Sequence, residues 1–170
     1  MNKIFIYSSI DGQTLKICQK LQGKFDNSQI RNLDNMKEGE LKNFDQIIIG
    51  AAVRYGDHNK KIYDFIKKNK AILEIKKTVF FSVNATARKE DKNDPLTNPY
   101  VQKFLKKTNW KPNKINVFAG RINFPEYGFI DKYIIKLIMW ITNGPTDTTK
   151  SHEFTNWEMV EEFSKEIESF

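Results

Sequence analysis

Short apolar runs alternate along the chain with segments in which apolar residues recur at helical spacing. Strands are predicted at residues 3–8, 46–50, 78–83 and 115–120, with a weaker strand near 29–33. Helices are predicted at about 12–24, 59–73, 99–107 and 156–168. This alternation predicts an α/β fold, a three-layer sandwich around a five-stranded parallel sheet of order 2-1-3-4-5. No repeat or low-complexity segment interrupts the pattern, so we expect a single domain over residues 1–170.

An extra segment, residues 121–151, lies between the fifth strand and the last helix. It contains a predicted helix at 130–141 whose apolar stripe consists of Ile130, Tyr133, Ile134, Leu137, Ile138 and Ile141. Ile135, Met139 and Trp140 widen this stripe beyond what packing on one side of a sheet requires. The helix could cover a substrate site, dock on a bilayer, form a homodimer interface or pack into the edge of the domain.

The chain carries an excess of positive charge. Lysine and arginine number 28 against 21 aspartates and glutamates, which gives a formal net charge of +7. Such an excess favours an anionic membrane surface, a nucleic acid or an acidic substrate as partner. A nucleic-acid module is disfavoured because the lysines of 60–77 have few aromatic residues among them and fit a solvated helical face better.

Cysteine usage and the first residues predict a cytoplasmic location. The single cysteine, Cys18, cannot form an intramolecular disulfide, which fits a reducing compartment. Met1, Asn2 and Lys3 lead straight into the first strand, without the layout of a signal peptide. No apolar run approaches the roughly 20 residues that span a bilayer, so we expect a soluble or peripheral protein.

The turn after the first strand, residues 8–14, carries the strongest chemical signal. A strand that ends in hydroxyl residues and glycine and then opens a helix presents free backbone N–H groups to an anion. Ser8, Ser9 and Thr14 add neutral donors, and Gly12 permits a close approach of the backbone. Because the glycine spacing matches neither the dinucleotide nor the nucleoside-triphosphate motif, a small phosphomonoester is indicated. An ordinary strand-to-helix turn capped by Asp11 is the alternative.

Two more loops are predicted to meet this turn. Residues 50–56 and 82–88 follow the third and fourth strands, and each is rich in small or polar residues. In a doubly wound sheet the ligand lies beyond the carboxyl ends of the strands, at the point where strand order reverses. Three convergent loops are a more specific signal than one.

The motifs in these loops and in the extra segment resemble those of a known family. They are Ser9-Ile10-Asp11-Gly12-Gln13-Thr14, Ile49-Gly50-Ala51-Ala52-Val53-Arg54-Tyr55-Gly56, Ser82-Val83-Asn84-Ala85-Thr86-Ala87-Arg88-Lys89, Asp147-Thr148 and Phe154-Thr155-Asn156-Trp157-Glu158. In them the chain is similar, over almost its whole length, to the flavodoxin-like, menaquinone-dependent protoporphyrinogen IX dehydrogenases of bacterial haem synthesis. The first motif alone would indicate only a flavodoxin-like domain.

The resemblance implies that FMN is the cofactor. Oxidation of protoporphyrinogen IX to protoporphyrin IX would then pass electrons to menaquinone or ubiquinone, in an enzyme that is peripheral on the inner face of the cell membrane. The flavin would carry the chemistry, so no catalytic side chain and no metal site are predicted. The implied cofactor-binding residues are Ser9, Ile10, Asp11, Gly12, Gln13, Thr14, Ala52, Val53, Arg54, Tyr55, Gly56, Ser82, Val83, Asn84, Ala85, Thr86 and Arg88.

Cations near the flavin would have a physical reason to exist, because a porphyrinogen carries propionates. Arg54, Arg88, Arg121, Lys132 and Lys136 are candidates for this role, and solvated surface charges are the alternative. For contact with substrate or membrane, the candidates are Arg121, Phe124, Tyr127, Lys132, Lys136 and Trp140.

Two other flavoprotein functions stay open: an electron-carrier flavodoxin and an FMN-dependent quinone reductase. Carriers of this class are usually acidic, so the net charge of +7 and the extra apolar helix count against the first. His58 and His152 are expected to be solvent-exposed histidines without a role in catalysis.

Overall fold

A computed structural model describes residues 1–170. Its strands are β1 (Lys3–Ser8), β2 (Ser28–Asn32), β3 (Gln46–Arg54), β4 (Asp57–His58), β5 (Lys77–Asn84), β6 (Lys114–Ala119), β7 (Arg121–Asn123) and β8 (Ser151–Glu153). Its α-helices are α1 (Gln13–Gln22), α2 (Lys60–Ile75), α3 (Pro99–Thr108), α4 (Phe129–Ile141) and α5 (Trp157–Glu168). Each predicted helix and strand is present, with ends shifted by a few residues.

The central sheet runs β2-β1-β3-β5-β6, and all its pairings are parallel. This confirms the predicted order 2-1-3-4-5, because β5 and β6 are the fourth and fifth strands of the prediction. The short strand β4 was not predicted. It forms because β3 continues past Gly50 and folds back through Tyr55 and Gly56, whose φ angles of 52° and 80° are those of a tight hairpin turn.

Alternate residues of the strands face two separate cores. On one face, Ile4, Ile49 and Phe80 pack against α2 and α3 through Ile66 and Phe104. On the other face, residues such as Phe5, Ile48 and Phe81 pack against α1 and α5. The result is the predicted three-layer sandwich.

Gly50 of β3 lies against the ring of Phe81, its cross-strand partner on β5. A Cβ atom built on Gly50 would lie 2.3 Å from Cζ of Phe81. Glycine is therefore required in the middle of this strand, because no larger residue fits without moving the ring.

The extra segment begins with a small hairpin that was not predicted. β7 pairs with β8 in antiparallel register, with Ile122 opposite His152. Ile122, Phe124 and Met139 of α4 form a small buried cluster beside it. This cluster attaches α4 to the domain near the carboxyl ends of the central strands.

The orientation of α4 argues against one of the four alternatives, a helix whose apolar stripe packs into the edge of the domain. Of its residues only Met139 is buried, and Ile135 is half-buried. The predicted stripe faces solvent instead, and its exposed members are Ile130, Tyr133, Ile134, Leu137, Ile138 and Ile141. No helix of the structure combines the length and the apolarity needed to cross a membrane.

Two side chains that were expected near the surface are buried. Phe124, a candidate for substrate or membrane contact, is fully enclosed by the cluster with Ile122 and Met139. His58 is also buried, because the turn at the end of β3 brings it against Phe80 and Phe104. The expectation of an exposed histidine is therefore wrong for His58.

Candidate functional site

The three predicted loops meet at the carboxyl ends of β1, β3 and β5 and form one cleft. The cleft contains about 850 Å³ of empty space, which includes open solvent at its mouth. The predicted cofactor residues that line it are Ser9, Ile10, Asp11, Gln13, Thr14, Ala52, Val53, Arg54, Tyr55, Gly56, Val83, Asn84, Ala85 and Thr86. Gly12, Ser82 and Arg88 lie outside the lining.

The turn between β1 and α1 has the geometry of an anion cradle. Gly12 adopts a left-handed conformation with φ of 78°, and no side chain caps the helix. The first backbone bond into the helix is made by Lys16 to the carbonyl of Gly12, so the N–H groups of the preceding residues are free of helix partners. The proposed cap by Asp11 is therefore not present.

Buried polar atoms around this turn lack partners in the protein. The Oγ of Ser9, the Oγ1 of Thr14 and the Oε1 of Gln13 are all buried without a hydrogen bond. Thr14 is 1% exposed and Gln13 is 3% exposed. Buried polar groups are normally satisfied, so this cluster of unpaired groups indicates that the turn is built to receive a polar ligand.

The Asp11 carboxylate contacts Tyr127 of the extra segment and Arg54 at the end of β3. Tyr127 donates a hydrogen bond to Asp11 Oδ2 at 2.7 Å, and Nη1 of Arg54 lies 3.8 Å from Oδ1. Burial, together with the bond to Asp11, raises the pKa of Tyr127, so its hydroxyl stays protonated and donates. These contacts offset the negative charge that Asp11 would otherwise present to an anion in the turn.

Arg54 links the loop after β3 to α4. Its Nη2 atom lies 3.5 Å from Asp131 of α4, and its guanidinium lies 4.8 Å from the ring centroid of Tyr127. The hydroxyl of Tyr55 also donates to Asp131, and this bond raises the pKa of Tyr55. The extra helix is thus connected to the cleft by charged and aromatic contacts.

The loop after β5 is ordered by a buried polar network. Asn84 accepts the N–H of Ala87 at 3.0 Å and donates to Ser82 Oγ at 3.1 Å. Ser82 Oγ lies 2.9 Å from Nε2 of His58, whose pKa burial lowers to about 4. Ser82, itself in contact with His58, therefore positions the Asn84 side chain, and Asn84 lines the cleft.

The remaining candidate residues lie at different distances from the cleft. Arg88 donates to the carbonyls of Ala85 and Thr142, at 2.8 and 2.9 Å, and so holds the carboxyl end of α4. Arg121 and Tyr127 line the cleft. Lys132, Lys136 and Trp140 do not line it, and Trp140 is 70% exposed.

Several lining residues were missed by the sequence reasoning: Tyr100, Gly120, Ile122, Ile135, Ile138 and Met139. Ile135 and Met139 carried a signal, since they widened the apolar stripe of the predicted helix. Tyr100 carried none, because its place beside the cleft depends on how α3 packs against the loop after β3.

The sequence matches characterised proteins along almost its whole length. The family model described as a flavodoxin domain matches residues 4–149. Protoporphyrinogen IX dehydrogenase (quinone) of Escherichia coli (strain K12) is 36% identical over 171 residues, which cover 98% of this chain and 94% of that protein. The protein of the same name from Leishmania major is 35% identical and covers 96% of this chain, with 73% of its own length matched.

Solved structures share the fold at low sequence identity. Oxidised flavodoxin 1 from Bacillus cereus has a TM-score of 0.50 at 18% identity, covering 70% of this chain and 84% of that one. Two-electron reduced Megasphaera elsdenii flavodoxin has a TM-score of 0.55 at 10% identity. The match covers 69% of this chain and 85% of that one. At this level of identity the similarity concerns the fold alone.

Proposed function

Because the chain belongs to the flavodoxin domain family and, within it, to the protoporphyrinogen IX dehydrogenases (quinone), we propose that it oxidises protoporphyrinogen IX. FMN would be its cofactor, and a quinone would be its electron acceptor. The position of α4 supports the proposal independently of the family name. The apolar helix α4 contributes Ile135, Ile138 and Met139 to the same cleft that the three flavodoxin-type loops form. A carrier needs no such wall, whereas a large apolar substrate does.

The residues present fit the phosphate of FMN. Ser9 and Thr14 offer unpaired hydroxyl donors, and the backbone N–H groups at the start of α1 would be available to the same anion. The loops 52–56 and 83–86 line the rest of the cleft and would hold the remainder of the cofactor. Within the proposal, these loops hold and orient the cofactor.

The bound flavin would accept hydride equivalents from the porphyrinogen and deliver electrons to the quinone. The protein would contribute position and exclusion of water. Ala52, Val53 and Ile122 present apolar surface to the cleft, and α4 closes one side of it.

We also propose that the exposed face of α4 docks on an anionic bilayer. Phe129, Ile130 and Trp140 are 77%, 72% and 70% exposed, which is unusual for side chains of this kind. Lys132 and Lys136 lie on the same helix and would meet anionic headgroups. Quinones with long side chains are dissolved in the bilayer, so docking would bring the cleft to the acceptor.

Anaerobic turnover distinguishes the enzyme from its alternatives. The protein loaded with FMN is mixed with protoporphyrinogen IX and a menaquinone or ubiquinone analogue, and porphyrin fluorescence is followed. The proposal expects sustained porphyrin formation that requires both FMN and quinone. Quinone reduction by NADPH without turnover of porphyrinogen would assign a quinone reductase instead. A protein that binds FMN but turns over neither substrate would be an electron carrier.

A further inference from the structure

Arg121 is a partly buried cation without a carboxylate partner. Arg54, by contrast, lies within 4.0 Å of two carboxylates, those of Asp11 and Asp131. The cross-strand neighbour of Arg121 is Glu153, but that carboxylate accepts Trp157 Nε1 at 2.8 Å and lies 3.8 Å from Lys16. The Nε of Arg121 is buried and has no hydrogen-bond partner.

The guanidinium of Arg121 lies at the turn between β1 and α1. Its Nη2 donates to the carbonyl oxygen of Asp11 at 2.5 Å. The same Nη2 would lie 3.8 Å from a Cβ atom built on Gly12. Arg121 therefore lines the end of the cleft where Ser9 and Thr14 hold their unpaired hydroxyls.

This placement matters because the turn otherwise offers only neutral donors to an anion. Its one charged side chain, Asp11, is negative, and Arg54 is shared between that carboxylate and Asp131, so neither side chain adds positive charge for a phosphate. A half-buried guanidinium without a counterion is costly, and a phosphate in the turn would supply the missing negative charge. The propionates of a porphyrinogen would need a cation near the flavin ring, not at the turn that holds its phosphate.

We propose that Arg121 is a ligand of the FMN phosphate and the main positive charge that compensates it. The inference rests on the proposed function, since it assumes that FMN occupies the cleft. It moves Arg121 from the candidates for substrate contact to the cofactor site. The consequence is a site that distinguishes FMN from riboflavin by charge as well as by hydroxyl and backbone donors.

The test compares FMN with riboflavin, which lacks the phosphate. Full-length apoprotein is titrated with each flavin by fluorescence quenching, for the wild type, Arg121→Gln and Arg121→Lys. Because glutamine is shorter than arginine, Arg121→Gln removes both the positive charge and the bond to the Asp11 carbonyl, and the riboflavin affinity reports any effect of losing that bond on the turn. Arg31→Gln is the matched control, because it removes one positive charge from β2 at a residue that does not line the cleft.

We expect Arg121→Gln to weaken FMN binding by roughly 10- to 100-fold, the range for a charge-assisted hydrogen bond, and to leave riboflavin binding within about twofold. Arg121→Lys should lose less FMN affinity than Arg121→Gln. Arg31→Gln should change neither the affinity for FMN nor that for riboflavin. The FMN affinity of the wild type should fall with added salt more steeply than that of Arg121→Gln.

Three results would overturn the inference, and they can be told apart. An equal loss for FMN and riboflavin would make Arg121 a residue that only supports the turn. Unchanged FMN affinity with a raised KM for porphyrinogen would return Arg121 to the substrate. Failure of the wild type to bind FMN at all would remove the proposed function together with the inference. Riboflavin binding by the variant also reports that its site is folded.

Discussion

Replacing Ile130, Leu137 and Trp140 together by glutamine is expected to weaken binding of the protein to anionic vesicles by about 30-fold. These side chains are 72%, 55% and 70% exposed, so the change should cost the fold little. Full burial of such a side chain stabilises by roughly 1.5–3 kcal/mol. Scaled by the exposed fractions, the three together offer about 4 kcal/mol. Insertion only to the headgroup boundary halves this to about 2 kcal/mol, which is the 30-fold change.

The assay is sedimentation with vesicles of phosphatidylcholine and phosphatidylglycerol, at several ratios of the two lipids. Ile75 and Leu96, which are 80% and 81% exposed away from α4, provide a matched control when both are replaced by glutamine. The triple variant should lose vesicle binding and keep its affinity for FMN, because none of its three positions lines the cleft. Equal binding by the triple variant, the control and the wild type would refute the proposed docking face. Loss of a dimer on gel filtration without loss of vesicle binding would assign the face to a second copy of the chain.

Three further predictions concern other parts of the structure. Gly50→Ala should lower the free energy of unfolding by about 2 kcal/mol in urea titrations, because its methyl group would overlap the ring of Phe81; an unchanged midpoint would contradict the close packing. Burial lowers the pKa of His58 from 6.5 to about 4, so the unfolded chain takes up its proton first as the pH falls. Between about pH 6.5 and pH 4 the wild type should therefore lose roughly 3 kcal/mol of stability that His58→Gln does not lose; parallel pH profiles would refute the burial. Arg88→Ala should speed amide hydrogen exchange around Thr142 at the end of α4 and leave exchange in the turn after β1 unchanged. Equal protection around Thr142 in both proteins would show that the Arg88 contact does not stabilise the end of α4.

The sheet and the three loops could be predicted because their signals are local. The run at Ile47–Ile49 reads as a buried strand without knowledge of any neighbour, and the glycine and hydroxyl residues after β1 mark the turn in the same way. The two-residue strand β4 is too short for any periodicity. It depends on the turn at Tyr55 and Gly56.

The environment of His58 and the orientation of α4 could not be predicted, because both depend on contacts between distant segments. His58 is enclosed by Phe104, which belongs to a helix far along the chain. The stripe of α4 leaves open whether it faces the domain, a substrate, a second copy or a bilayer. In the structure Met139 turns the opposite side toward the domain through its cluster with Ile122 and Phe124. An exposed apolar stripe breaks the rule that a helix buries its apolar side. The exposed apolar face of α4 is therefore a place where a partner surface is expected to bind.

Arg54 and Arg121 show why charge type alone does not assign a role. From the sequence alone, both are candidates for contact with a substrate propionate. In the structure Arg54 is paired with Asp11 and Asp131, whereas Arg121 has no carboxylate partner and lies at the turn. Their difference comes from what packs around each of them, and only the folded chain contains that information.

A single-turnover experiment tests the central claim most directly. The protein loaded with FMN is mixed anaerobically with protoporphyrinogen IX and no acceptor, and a quinone is added afterwards. We expect that flavin absorbance falls as the porphyrinogen is consumed, and that quinone restores it and permits porphyrin to accumulate. Flavin that stays oxidised in the presence of porphyrinogen, but is reduced by NADPH, would contradict the account.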